Sequence, residues 1–483
     1  MLLSRQAPAF VLALGLSVSV TAKNLTDEIN AQWRKPAKFW DTDLDATINA
    51  KGTYNFIFNS STLPKGIKYG SYDYCNMPHV RKPEYRIPSK EYKLEYVEII
   101  HRHHKRTPYA SNLWPEEKPP YDCSNTELFT YGEGKGVPSV PLYWTPLWTS
   151  ENPFTTVGEG SNCQFPQLTQ GGFQDSWQHG NDLFGVYHDL LHFLPNQPNG
   201  KQMKFRVTNN VITSQVASAL IAGMYPALAR KDIPLSVFIE NSAIDSLEPT
   251  YSCNAANTLS SAYGVGSTDP AWTPHLNASQ DLREALNKIS GVDPTDSGWS
   301  QSWDHYFDNL SSRQCHGIPL PCNGTCVTQD QVNEVYRLGM YEYAYLYRVA
   351  PESLLYGVEE YGVWIAEFLG NVRAATSGTS TVKYTHNVAH DGSMSRLLAA
   401  LQTEVMFWPG MGCELSFEIY SKQGFGYEKK EWYARILFGG QVFKSSTPEI
   451  GVADMIPLDK LTGYLNGLVG NKAANVVTLC NSS

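Results

Sequence analysis

The stretch Tyr96-Val97-Glu98-Ile99-Ile100-His101-Arg102-His103-His104-Lys105-Arg106-Thr107-Pro108 passes from an apolar, β-branched run into a turn holding two arginines, a lysine and three histidines. A strand that runs directly into cationic and imidazole side chains is what an open α/β sheet presents at a strand's carboxyl end, where such sheets bind ligands. Arg102 and Arg106 offer planar forks that match phosphate oxygens, and a neutral imidazole at His103 between them can attack phosphorus. Pro108 stops the turn and fixes the chain's exit. Taken alone, the same run also reads as a solvated basic turn, so the rest of the chain has to decide.

Outward from that run, further strand signals lie at Phe205 to Val207, Leu415 to Ile419 and Trp432 to Phe438. Helical periodicity marks Asp175 to Leu194, Thr213 to Ala229, Gln329 to Val349, Leu354 to Ala374, Ser393 to Phe407 and Leu458 to Val469. Thr328-x-x-Gln331 forms a capping box at the head of the third. Alternation of strand and helix at both ends of the chain predicts an α/β fold, with a mostly parallel central sheet flanked by helices. Two stretches break the rhythm: 114–167 is dense in Pro, Gly, Tyr and Trp, and 251–329 carries Ser, Asn, Pro and four cysteines. The expected organisation is a signal peptide at 1–22, an N-terminal extension at 23–89, and a discontinuous α/β core at 90–250 and 330–483. An inserted, mainly helical or irregular cap occupies 251–329, with 114–167 contributing.

Composition narrows the setting. With 42% hydrophobic and 18% charged residues the 483-residue chain is an ordinary globular one, and its formal charge of -9 with no basic block excludes a nucleic-acid partner. Arg5, the apolar run Ala7 to Val20 and the small residues up to Ala22 read as a secretory signal, and no later run is long enough to span a membrane. The chain is therefore expected to be secreted, with no membrane partner. Sequons at Asn24, Asn59, Asn277, Asn309, Asn323 and Asn481 fit that route as glycosylation candidates. Nine cysteines predict disulfides with one thiol left over, and the close set Cys315, Cys322 and Cys326 favours a stapled loop over zinc.

The run Arg102 to Pro108 resembles the Arg-His-Gly-x-Arg-x-Pro signature of the histidine acid phosphatases and phytases, a branch of the histidine phosphatase superfamily. The resemblance continues through Leu168-Thr169, Gly172, Gly180, Leu183 and Tyr187, through Arg206-Val207-Thr208 to Gly223, and to Ala389-His390-Asp391. It ends with Trp408-Pro409, Phe417-Glu418 and Tyr433-Ala434-Arg435. It implies that His103 accepts the phosphoryl group, Arg102, Arg106 and His390 bind the phosphate, and Asp391 protonates the leaving oxygen, with no cofactor and no metal. The implied partner is a small phosphorylated substrate or other anionic ligand, cleaved below neutral pH. Substrate identity and oligomeric state are not written in these motifs.

Two positions depart from the signature. The glycine after the nucleophile is His104, which places a ring in a position of close backbone approach, and Ile212 stands where the family carries a third phosphate-binding arginine. Losing one preorganised donor typically costs about 10²- to 10³-fold in rate, which Lys105 is positioned in sequence to offset in part. Two alternatives follow: a pseudo-phosphatase that holds an anion without turnover, and a metal-dependent hydrolase built on the pair His101 and His103 with His390 and Asp391. His179, His188 and His192 read as structural histidines, and the Tyr and Trp clusters at 336–347 and 144–148 as packing. His386 lies four residues before His390 and is given no role.

Overall fold

Strand β1 (Tyr92–Arg102) is buried from Tyr96 to its end, which is why it reads as an unbroken apolar run. The computed structural model describes residues 22–53, 63–115, 120–124, 129–130, 142–143, 163, 165–228, 235–422 and 430–481. After β1 come α1 (Gln170–Phe184) and β2 (Met203–Val207), then α2 (Val211–Met224). Next are α3 (Asp304–Cys315), α4 (Gln329–Ala344) and α5 (Ser353–Ser377). The chain closes with β3 (Tyr384–Ala389), α6 (Asp391–Ala400), β4 (Glu414–Lys422), β5 (Glu431–Phe438) and α7 (Leu458–Val469). Local chemistry starts the helices: Thr169 accepts from the Gly172 N–H at the head of α1, and Asn210 from the Ile212 N–H at the head of α2. Thr328 and Gln331 form the expected reciprocal box on α4.

The α/β class holds. β3 lies between β1 and β2 and runs parallel to both, while β4 adds to the other edge of β1 antiparallel and β5 pairs antiparallel with β4. The parallel side carries the site. Alternation along β1 sorts its side chains: Val97 and Ile99 pack with Leu183, Tyr187 and Leu220 of α1, its continuation and α2, whereas Tyr96 and Ile100 join the large core built on α5, α6 and α7. Continuing that period, His101 falls on the α1 side and Arg102 on the α6 side.

Sequence periodicity missed the central strand β3. Tyr384-Thr385-His386-Asn387-Val388-Ala389 is polar in composition yet wholly buried. Its polar groups are paired inside: Tyr96 donates to Thr385, and Asn387 donates to Glu98 and to the Ile99 carbonyl. Helix α6 also stops at Ala400, short of the Phe407 expected, because Gln402 turns to a φ of 48°.

Part of the amino-terminal stretch is threaded through the same core. The Met77 N–H donates to the Met411 carbonyl and the Met411 N–H to that of Tyr74, and Cys75 is bonded to Cys315 at the end of α3. Three further disulfides join Cys123 to Cys163, Cys253 to Cys480 and Cys322 to Cys326, leaving buried Cys413 as the one free thiol. The expected loop staple is thus Cys322–Cys326, with Cys315 paired elsewhere. Residues 251–329 form short helices and α3, which sets Asp308 against Arg106 beyond the end of β1; most of 114–167, including the Trp144 to Trp148 cluster, lies outside the described residues. No helix among the described residues is long and apolar enough to cross a membrane.

Candidate active site

His103 is the first residue past β1, yet its N–H still donates to the Ala389 carbonyl at the end of β3, so the sheet's own ladder holds it. Its ring Nδ1 lies 2.9 Å from the His104 carbonyl oxygen. A carbonyl only accepts, so Nδ1 carries the proton and Nε2 is left with its lone pair free. Burial, with Arg102, Arg106 and His390 alongside, holds this ring well below the ordinary histidine range. It is a neutral imidazole whose reactive nitrogen faces cations.

Each of those three neighbours is positioned by a partner. Arg102 reaches over the α6 side, donating to the Pro409 carbonyl at 2.5 Å and the Tyr74 hydroxyl at 3.3 Å, and its Nη2 lies 3.0 Å from Asp391 Oδ2. Arg106 places Nε 3.5 Å from His103 Nε2 while its Nη1 pairs with Asp308 of α3 at 3.0 Å. Asp308 also accepts from Asn112 at 2.8 Å, so the cap helix holds the arginine in place. His390, the N-cap of α6, sets its ring 5.4 Å from that of His103, with Nε2 2.9 Å from the Thr208 hydroxyl and 3.5 Å from Glu248.

Asp391 follows at the first turn of α6, where the helix's free N–H groups favour negative charge. Its Oδ2 accepts from the Trp408 indole N–H at 2.9 Å. That indole is clamped between Phe307 and Tyr343, each stacked at 3.9 Å, so the donor cannot swing away. Burial pushes the Asp391 carboxyl up, but Arg102, the Trp408 N–H, Arg106 and His390 outweigh it and hold it below its ordinary value. Asp304 of α3 behaves oppositely: burial and the neighbouring Asp308, Asp391 and Glu342 push it up to about 7.

The structure therefore brings together His103, Arg102, Arg106, His390 and Asp391, and corrects the remaining assignments. Lys105 does not reach this group; its Nζ pairs with Asp175 of α1 at 2.9 Å. Ile212 is fully buried among Leu168, Val207, Val216 and Val388, so an apolar contact stands where a third guanidinium was sought. His104 does not narrow the phosphate site. Its ring turns to the α1 side, into room left by Gly412, where an added Cβ would lie 2.5 Å from the ring, and shares a hydrogen bond with His179 at 3.1 Å. His101 and His103 do not form a metal pair, since alternation sends the His101 ring toward His179 and His386 instead.

Of the sequons, Asn24, Asn277, Asn323 and Asn481 are exposed and Asn59 lies outside the described residues. Asn309 is fully buried and donates its amide to the Asn112 carbonyl, leaving no room for a glycan in the folded chain. Sequence reading gave Thr208 no role beyond its place in the resemblance and missed Tyr74, Asp308 and Glu248. None of the latter three sits in a recognisable motif, and Trp408 was marked only as part of the resemblance.

A family model described as histidine phosphatase superfamily (branch 2) matches residues 93–438. Counting factor 60 of Dictyostelium discoideum is 27% identical over 385 residues, covering 77% of this chain and 85% of that protein. Human 2-phosphoxylose phosphatase 1 is 25% identical over 389 residues, covering 76% of this chain and 75% of its own. Among solved structures, the phytase of Klebsiella sp ASR1 superposes with a TM-score of 0.50 at 16% identity, over 80% of this chain and 96% of that one.

Proposed function

The chain belongs to branch 2 of the histidine phosphatase superfamily, and from that premise we propose that it is a phosphomonoesterase working through a phosphohistidine at His103. The observation that carries the proposal is the unprotonated Nε2 of His103, fixed in that tautomer by the His104 carbonyl and flanked by Arg102 and Arg106, with Asp391 held on Arg102. Phosphate oxygens would take the two guanidinium forks and His390, displacing the weak 3.5 Å contact between Arg106 and the nucleophile. His103 Nε2 then bonds to phosphorus as the ester P–O bond breaks, and the departing oxygen takes a proton from Asp391. In the second half, water attacks phosphorus, Asp391 accepts its proton, the N–P bond breaks and inorganic phosphate leaves.

The proton on Asp391 has a definite source in this reading. Asp391 is held ionised in the free site, so the proton arrives with the substrate as a phosphate monoanion, whose second pKa is about 6. Once the phosphate engages Arg102, the charge that depressed the Asp391 carboxyl is shared, and the proton passes to it. No metal is needed for this sequence, because the arginines stabilise the transferring group. With Ile212 apolar and Lys105 engaged by Asp175, the hole is one cation poorer than the resemblance implies, so a rate about 10²- to 10³-fold below that of a three-arginine site is expected. The acidic side chains of Glu248 and Asp308 near the site favour an ester with a single phosphate over a polyphosphorylated ligand.

Four disulfides and exposed sequons support passage through an oxidising, glycosylating route, which we read as secretion. The test of the central proposal is a base-quenched reaction with a labelled phosphomonoester. Wild type should carry acid-labile, alkali-stable label and release phosphate at acid pH, and His103→Ala should do neither. Turnover that persists in His103→Ala refutes the phosphohistidine, and a folded wild type that binds phosphate but releases none from any ester makes the protein an anion-binding relative without catalysis.

A further inference from the structure

Behind the loop that carries His103, on the α1 side of the sheet, lies a second cluster of imidazoles for which the phosphatase chemistry has no use. His101, His104 and His179 are all completely buried, and one nitrogen from each falls within 4.8 Å of the others. Their tautomers can be worked out from their partners. His101 Nδ1 lies 2.7 Å from the Arg102 carbonyl and must donate to it, which leaves Nε2 with a lone pair and no partner. His179 Nε2 lies 2.7 Å from Glu414, a carboxyl that also accepts the Val80 N–H and the Ser416 hydroxyl; donation to Glu414 leaves a lone pair on His179 Nδ1. His104 Nε2 sits 3.1 Å from that Nδ1, and its own Nδ1 has no partner. The single proton of His104 cannot satisfy all of these basic nitrogens, so the cluster is a converging set of buried acceptors with too few donors.

From this geometry we infer a binding site for one divalent transition ion of the zinc type, held by His101, His104 and His179. A histidine ligand whose far nitrogen donates to a carboxylate or a backbone carbonyl is the usual outer support of such an ion, and here Glu414 and the Arg102 carbonyl supply it. Zinc–nitrogen bonds of about 2.0–2.1 Å in a tetrahedron put nitrogens about 3.4 Å apart. The His104–His179 separation is already near that value, and rotation of one ring closes the remainder. His386, its ring 4.9 Å from that of His101 and its Nε2 also unpartnered, flanks the set. A cavity of about 410 Å³ lined by Asp73, Asn76, His79 and Asp182 gives an approach from solvent, and His79 stacks on His179 at 4.1 Å between that cavity and the cluster. The ion would act as a positioning device: it would fix His104, whose carbonyl holds the His103 tautomer. The inference stands on the histidines and does not depend on turnover.

The test uses the full secreted chain without a polyhistidine tag, stripped with chelator and titrated with Co²⁺ and then Zn²⁺. One ion per chain is expected, with the visible absorption of a tetrahedral cobalt site that zinc bleaches. His179→Gln should weaken binding by at least about 100-fold and Glu414→Gln by about 10- to 100-fold, with the partly exposed His188→Gln unchanged. Should the buried variants fail to fold, X-ray absorption on the zinc-loaded wild type decides the matter: three or more imidazoles support the site, and fewer overturn it. Binding that is absent in wild type, or equally tight in folded His179→Gln, also overturns it.

Discussion

Replacing Trp408 by Phe keeps an aromatic ring between Phe307 and Tyr343 but removes the N–H that reaches Asp391 at 2.9 Å. A hydrogen bond to a buried charged group contributes about 1.5–3 kcal/mol, and one pKa unit corresponds to about 1.4 kcal/mol, so the Asp391 carboxyl should rise by about one to two units. In the proposed mechanism the productive encounter is ionised Asp391 with the substrate monoanion. The acid limb of kcat/KM then reports Asp391 in the free enzyme, and the alkaline limb reports the second ionisation of the substrate near about pH 6. Trp408→Phe should therefore move the acid limb up by about one to two pH units and leave the alkaline limb where it is, narrowing the bell from one side. The assay is steady-state cleavage of an alkyl phosphate, whose poor leaving group needs the proton, from about pH 2 to 8 with thermal unfolding as a control for fold. An acid limb that stays put in a folded variant, or an alkaline limb that moves instead, would refute the assignment of Asp391 as the proton carrier and of Trp408 as the group that holds it ionised.

Asp308→Asn takes the counter-charge from Arg106, and kcat/KM should fall by up to about 10²-fold as the guanidinium loses its aim; an unchanged value would show that the Thr107 carbonyl suffices. Replacing both Cys75 and Cys315 by Ser opens a link between residues 240 apart in sequence and should lower stability by about 2–5 kcal/mol in thermal or denaturant unfolding. Burial pushes Asp41 and Asp73 up to about 8, so each favours the folded state fully below about pH 4 and loses that contribution progressively as pH rises toward 8, at about 1.4 kcal/mol per unit. Melting temperature should accordingly drop from pH 5 to 8, and Asp41→Asn should flatten the drop. Peptide mapping of the protein expressed through a glycosylating secretory pathway should find glycans among Asn24, Asn277, Asn323 and Asn481 and none at Asn309, whose amide is engaged with Asn112.

What could be read from the sequence follows from where the physical signal is local. β1 announces itself because both of its faces are apolar and its end is a dense cationic turn, and α4 because Thr328 and Gln331 complete a box within four residues. β3 was invisible because its neighbours, not its composition, make it a strand: Thr385 and Asn387 are tolerated in the core only because Tyr96, Glu98 and the Ile99 carbonyl meet them there. The same holds at the site. Arg102, His103 and Arg106 share one short run and His390 and Asp391 are neighbours, whereas Asp308 and Tyr74 reach the arginines from segments far away in sequence. Lys105 was misjudged for a related reason. Neighbouring residues at a strand's end diverge, and its direction was decided by Asp175 on a helix that begins at Gln170.

The placing of β3 also fixes when the active centre can exist. Arg102 lies in register beside Ala389, and the nucleophile's own N–H bonds to that residue's carbonyl; β3, the middle of the parallel trio, is also the last of the three to be synthesised. During translation β1 and β2 leave the ribosome with a gap between them, and the parallel side of the sheet must wait for a partner remote along the chain. A ribosome-bound fragment ending before Tyr384 should therefore expose one edge of β1 to chaperones, and the site is assembled only once β3 has been made.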